Sequence, residues 1–324
     1  MTKFVLCGTG WRAEFFMRIA KALPETFAIS SVYTRRDDKV LELTAQGYNA
    51  TTNLDTALSF QHDAVIVASG KEGFFPLLKT LSAKHEVILS ETTFLSLSEE
   101  ELTEAQKFNG FTLEQYWYNP IYASIKNVLP RIGKVTSVYL SALHNHHAAS
   151  ILRGIFGDLE IKNIKRLLDQ NATCLKTASR SGMDRSRELQ DYTRKITAVE
   201  FTTGEVFITD FSSNQYHSYI IPSHIEIRGE RGVITEKGVT YISSEGYPIE
   251  LPFIFHKDDI KNNQKLSLSH VTAGSEVVFT NEFYPSDFNY DEIAIATMLK
   301  EFSEGKLNYT IKDGLQDAKI GKLF

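Results

Sequence analysis

The chain has 324 residues, 42% hydrophobic and 23% charged, enough to fill two domains with ordinary globular cores. Its 35 basic and 40 acidic residues leave a net charge of −5, so there is no basic field to hold nucleic acid, and two cysteines are too few for a disulfide framework. No apolar run approaches membrane-spanning length and none reads as a signal peptide, so a cytoplasmic protein without a membrane or nucleic-acid partner is expected.

Phe4, Val5, Leu6 and Cys7 form an apolar run without alternation, the pattern of a parallel strand covered on both faces. Gly8, Thr9 and Gly10 follow, and Phe16, Ile19, Ala20 and Leu23 then recur at helical spacing. Glycine at 8 permits a tight turn, glycine at 10 lets the backbone approach a phosphate, and Ala13 stands where a third small residue belongs. The open N–H groups and the dipole of such a helix favour an anion at the turn. Gly8, Thr9, Gly10, Trp11 and Arg12 are therefore predicted to cradle a dinucleotide.

The second strand ends in Thr34, Arg35 and Arg36, where an NAD site usually places an acid. A hydroxyl and two guanidinium forks suit a ribose 2′-phosphate, which favours NADP and leaves NAD possible. With Asp37 and Asp38 the same arginines also read as a solvated charge cluster.

Residues 38–45 read as a short helix, 53–58 as a capped helical turn and 63–68 as another buried strand. Ser69 and Gly70 fall at that strand's carboxyl end, where ligands bind in open parallel sheets. A helix over 75–83 and a strand over 86–89 lead to Glu91, and Ser98 with Glu101 forms a capping box. The strand-like run 111–116 closes a Rossmann domain over 1–118. Ser69, Gly70 and Glu91 complete the predicted cofactor-binding set.

After residue 119 the texture changes. A helix is predicted over 121–128, and strands over 135–142, 196–201, 206–211, 224–229 and 232–236 with glycine-bearing turns between them. Helices return near 290–302 and 315–323. An α+β domain with a mostly antiparallel sheet is expected over 119–324, its last helix able to pack back on the first domain. The charge-dense stretch 178–195, with Arg180, Asp184, Arg185, Arg187, Glu188, Asp191 and Arg194, reads as a solvated helix or a mobile loop with room for a lid or subunit contact, and its arginines also suit an acidic or phosphorylated substrate.

His144, His146 and His147 follow a predicted strand, precede a predicted amphipathic helix and read as a strand end. An imidazole titrating near neutrality suits removal of a hydroxyl proton. Neighbours in a strand point to opposite faces and no Asp, Glu or Cys lies nearby in sequence, so no metal is expected. The same histidines also read as filling a strand-to-helix corner.

The glycine turn, the Rossmann half, Val87–Thr93, the Tyr116–Pro120 crossing and the antiparallel half together resemble the Gfo/Idh/MocA family of oxidoreductases over essentially the whole chain, the segment 309–318 included. The resemblance implies an NAD(P)-dependent oxidoreductase acting on a hydroxyl or carbonyl of a sugar, polyol or related small molecule, and a homo-oligomer, dimer or tetramer. It places His147 at the family's histidine, the first candidate for the base, with His146 beside it and Tyr118 or Tyr116 as hydrogen-bonding partners of substrate. Thr92 and Thr93 replace the lysine and proline of the family's Glu-Lys-Pro, Trp117 stands where an arginine is common, and Leu143 and Ser150 replace two aspartates. Two alternatives follow from the missing lysine: a non-catalytic nucleotide-binding sensor or regulator, and a redox-assisted lyase that recycles its cofactor in place.

Overall fold

The computed structural model describes residues 1–157, 160–179, 182–259 and 266–324. Among them two compact units form, one of residues 1–118 and 288–318, the other of 119–287 and 319–324. The elements run in order β1 (Thr2–Cys7), α1 (Trp11–Ala22), β2 (Phe27–Tyr33), α2 (Asp37–Ala45), β3 (Ala50–Thr51), α3 (Leu54–Leu58), β4 (Ala64–Val67), α4 (Phe74–Ala83), β5 (Ile88–Ser90), α5 (Glu99–Ala105) and β6 (Gly110–Thr112). Then come α6 (Pro120–Val128), β7 (Val135–Ser141), α7 (Asn145–Phe156), β8 (Ile161–Leu175), β9 (Ala178–Ser179), β10 (Gly182–Met183), β11 (Leu189–Phe201) and β12 (Val206–Ser212). The chain ends with β13 (His224–Gly229), β14 (Gly232–Thr235), β15 (Gly238–Ile242), β16 (Pro248–Asp259), β17 (Leu266–Ala273), β18 (Glu276–Thr280), α8 (Tyr290–Ser303) and α9 (Ile311–Gly321).

In the first unit the order β3-β2-β1-β4-β5-β6 is parallel throughout. Strand alternation sends Val5, Cys7, Val65 and Val67 to a core shared with Phe74, Leu78, Phe94, Leu102, Ile311 and Leu315. Phe4 faces the other side, against Phe27 and Phe302 at ring distances of 6.2 and 6.0 Å. Phe4 and Phe27, nearly fully buried, each contribute roughly 2–3 kcal/mol. Arg18 on α1 donates to Glu292 on α8 at 2.6 Å, so the returning helix residues 288–318 belong to this unit by packing and by charge. They do not extend the second.

The second unit is built on a ten-stranded sheet, β18-β17-β16-β15-β14-β13-β7-β12-β11-β8, in which β12 beside β7 is the one parallel pair among the described residues. One face carries Val138, Leu140, Val199, Phe201 and Phe207 under α7, with Phe156 against Phe201 at 5.2 Å. In the stretch expected as a helix or loop over 178–195, the described residues instead form the short β9–β10 pair and the first half of β11, which pairs with β8 from Leu189 onward. Its charges hid the period of two because they meet partners across strands: Arg194 grips Asp210 through Nε at 2.8 Å and Nη2 at 2.5 Å, and Tyr139 donates to the same carboxylate at 2.7 Å. Arg180 lies outside the described residues. No helix among the described residues is long and apolar enough to cross a membrane.

Candidate functional site

The first region lies where β1, β2 and β4 end. Cys7 pairs with Tyr33 on one side and Val67 on the other, so the glycine turn leaves the sheet at its middle. Gly8 has φ +129°, and a Cβ there would lie 2.3 Å from the Ala68 carbonyl oxygen, so only glycine fits. Gly10 is the N-cap of α1 with no side-chain cap, and a Cβ on it would meet nothing within 4 Å. Uncapped N–H groups of α1 thus face open space, the arrangement that holds a phosphate.

A cavity of about 420 Å³ opens there, within the range of small-molecule sites. Its lining includes Gly8, Thr9, Gly10, Thr34, Arg35, Arg36, Ser69 and Gly70, and none of its lining residues is acidic. The Thr9 and Thr34 hydroxyls lie 3.4 Å apart. Arg35 donates to the Glu72 carbonyl at 2.9 Å and lies over Gly73, whose missing side chain makes room for the guanidinium. Arg36 is held by Asp38 at the surface. The Ser69 hydroxyl is shielded from solvent without a hydrogen-bond partner among the described residues. Burial pushes the Cys7 thiol well up, so it stays protonated and serves as apolar wall.

The predicted set divides at α1. Trp11 is half exposed, edge-on to Phe15 at 4.6 Å, and both rings lie about the Arg12 guanidinium at 5.1 Å. Neither Trp11, Arg12 nor Glu91 lines the cavity. Arg12 turns to Glu91 instead, Nε to Oε2 at 3.3 Å. Burial raises the Glu91 carboxyl to about 7 against the pull of Arg12, and neighbouring Glu114 and Asp291 push it the same way. Glu114 is 2% exposed and burial raises it to about 8, although it accepts the Tyr116 N–H at 3.3 Å. Sequence reading missed Glu114; an acid closing the apolar run after β6, at a parallel strand's carboxyl end, was the available sign.

The second region is the start of α7. His146 and His147 occupy its first turn and His144 is its N-cap, so the predicted strand end is corrected to a helix start. Asn145 at φ +44° makes the corner, a backbone that asparagine tolerates better than most residues. Ring centroids of His146 and His147 lie 3.9 Å apart, which strand alternation would have forbidden. His144 stacks on Phe211 at 5.1 Å and its Nδ1 meets the Tyr216 hydroxyl at 2.8 Å. Tyr216 was also missed, being far away in sequence. Burial lowers His144, and burial with the two neighbouring imidazoles lowers His146 well below the usual value. Both ring nitrogens of His146 are buried without a hydrogen-bond partner among the described residues. Tyr118 belongs to the first unit, where its hydroxyl donates to Glu301 at 2.7 Å; burial and that carboxylate push its pKa up. That hydroxyl is already committed.

No protein-family model matches the chain, and no curated protein matches its sequence. Solved structures match over 99% of its length. One is a levoglucosan dehydrogenase in complex with NADH and levoglucosan, 14% identical, with 95% of that chain covered and a TM-score of 0.66. Another is an oxidoreductase from Agrobacterium radiobacter in complex with NAD+, L-tartaric acid and magnesium, 14% identical, with 94% covered and a TM-score of 0.65. A third is an oxidoreductase from Thermotoga maritima, 16% identical, with 95% covered and a TM-score of 0.63. At such identities the likeness establishes the fold: a Rossmann-like parallel sheet and a second, mostly antiparallel one, as the sequence resemblance implied.

Proposed function

We propose that this protein is an oxidoreductase that binds a nicotinamide dinucleotide, prefers NADP, and acts on a hydroxyl or carbonyl of a sugar, polyol or related small molecule. The observation that carries the reading is the cavity at the uncapped start of α1, bordered by Thr34, Arg35 and Arg36 and by no carboxylate. The residues fit the group: the glycine turn leaves room for a pyrophosphate, and the threonine hydroxyls and guanidinium groups suit a ribose carrying a 2′-phosphate. Arg36 gives up only an exposed ion pair with Asp38, which a phosphate dianion would displace at little cost. The complexes of similarly folded enzymes with NADH or NAD+ support the dinucleotide as the kind of ligand, and the levoglucosan complex supports a sugar-like substrate.

When bound, the nicotinamide ring supplies the hydride acceptor or donor. The chain's part is orientation and proton transfer. We assign the substrate's hydroxyl proton to His147, with His146 kept neutral by burial beside it. Tyr118, tied to Glu301, is left a positioning role.

Calorimetric titration of the nucleotide-free protein with NADPH and then NADH tests the reading. Preference for NADPH that disappears in the double variant Arg35→Ala, Arg36→Ala is the expected result; binding of neither overturns it. Thr92 and Thr93, where the family has lysine and proline, favour a second reading as a nucleotide-binding sensor. Turnover in a panel of polyols and ketoses decides against the sensor.

A further inference from the structure

The Arg12–Glu91 ion pair is only half used. It closes through Nε and Oε2, while Arg12 Nη1 and Glu91 Oε1 are both shielded from solvent and lack a hydrogen-bond partner among the described residues. Buried polar atoms of native proteins are nearly always satisfied, so two orphans on a single ion pair call for an occupant. One is a donor and the other an acceptor. Arg12 favours the carboxylate form of Glu91, while burial and the neighbouring acids oppose it, so the acceptor is fully charged only above about pH 7. Trp11 and Phe15 lie against the guanidinium, and Glu114 and Asp291 act on Glu91 as further negative charge.

The position in the fold narrows the occupant. Arg12 is the second residue of α1, two beyond Gly10, and Glu91 directly follows β5. The cavity runs from Thr34 and Arg35 after β2, past the β1 turn, to Ser69 and Gly73 after β4, while Glu91 follows β5, one strand beyond β4. A dinucleotide with its adenosine half in that cavity and its pyrophosphate at the start of α1 extends its second half toward β4 and β5, where the sheet order reverses.

We infer that Arg12 and Glu91 together read the carboxamide of the nicotinamide ring, Arg12 Nη1 donating to the amide oxygen and Glu91 Oε1 accepting from the amide nitrogen. This rests on the dinucleotide reading above. It makes the pair a specificity device: a ligand with a carboxylate in place of the amide would set like charges against each other at Glu91. Both hydrogen bonds also fix which face of the ring is presented.

The test is titration of the full chain at about pH 8 with three probes: NADP+, its nicotinic-acid counterpart, and 2′-phospho-ADP-ribose, which lacks the ring. Wild type should bind NADP+ at least about tenfold more tightly than the acid. Glu91→Gln, which offers an amide N–H to the carboxylate, should reduce or reverse that ratio while leaving 2′-phospho-ADP-ribose binding unchanged. A wild-type ratio near one overturns the inference whether or not the variant folds, and so does a ratio the variant leaves intact. In both cases continued binding of 2′-phospho-ADP-ribose keeps the dinucleotide reading standing. Failure of all three probes to bind overturns the two together.

Discussion

Two of the regions where ionisable groups are buried treat them in opposite ways. In the first unit a guanidinium is kept among acids: Arg12 faces Glu91, with Glu114 and Asp291 close enough to raise that carboxyl further. In the second unit imidazoles are kept against one another and against aromatic rings, and burial drives His144 and His146 toward the neutral form. A charge held in place suits recognition of a fixed dipole. A neutral nitrogen held in place suits taking a proton. The proposed division, binding in one region and proton transfer in the other, can be broken by variants that should separate the two.

The largest separation is expected from His147. Replacing it by alanine should lower turnover about a hundredfold or more if it is the base, with dinucleotide affinity within about twofold of wild type. Steady-state kinetics beside calorimetric titration checks this, and unchanged turnover removes His147 from the chemistry. The converse variant is Gly10→Ala. Its added Cβ meets no atom within 4 Å and its φ of −83° suits any residue, so thermal unfolding should match wild type. The methyl group nevertheless stands on the face a phosphate must approach, and affinity should fall about tenfold or more. Gly8→Ala should behave differently again, losing about 1–3 kcal/mol of stability or more from a forbidden φ and a collision with Ala68. If both alanine variants lose affinity without losing stability, the account of the turn is wrong.

The two regions also differed in how much of them could be read from sequence. The glycine turn was legible because strand, glycine pair and helix follow one another directly in sequence, although the collision that excludes a Cβ at Gly8 is with Ala68, just after β4. Thr34, Arg35 and Arg36 line the cavity, a position that counting to the end of β2 reaches. The histidine corner was misread by one residue's geometry. Asn145 turns the chain with a positive φ, so α7 starts at once and carries His146 and His147 on consecutive helical positions. Of the β8–β11 ribbon only 196–201 was expected as a strand; β8 and the first half of β11 were missed because their charges meet partners across strands, Lys162 on β8 with Glu200 and Arg194 with Asp210 on β12, and hydrophobicity alone does not register them. Glu114 and Tyr216 depend on non-local packing, which no spacing rule reaches.

The smallest effect expected is on stability, and it has opposite signs in the two regions. Glu91 and Glu114 are raised to about 7 and about 8 from an ordinary 4.5, so the folded protein holds protons that the unfolded chain has already released. Their contribution to stability is full at low pH and declines as pH rises through those values, by up to about 1.4 kcal/mol per pH unit for one such group. His146 is lowered from 6.5, so the unfolded chain takes up a proton that the fold refuses, and stability falls as pH drops below that value. The slopes oppose each other in mildly acidic solution, and above about pH 6.5 the carboxyl slope stands alone. Urea unfolding between about pH 6.5 and 8 should therefore show stability decreasing with pH, and Glu114→Gln, which cannot bind the proton, should flatten that decrease. His146→Phe should leave the slope above pH 6.5 as it is and change only the acid side. A wild-type slope that Glu114→Gln leaves untouched would mean that Glu114 is already ionised in the fold, and Glu91 alone would then hold the proton in the acid cluster around Arg12.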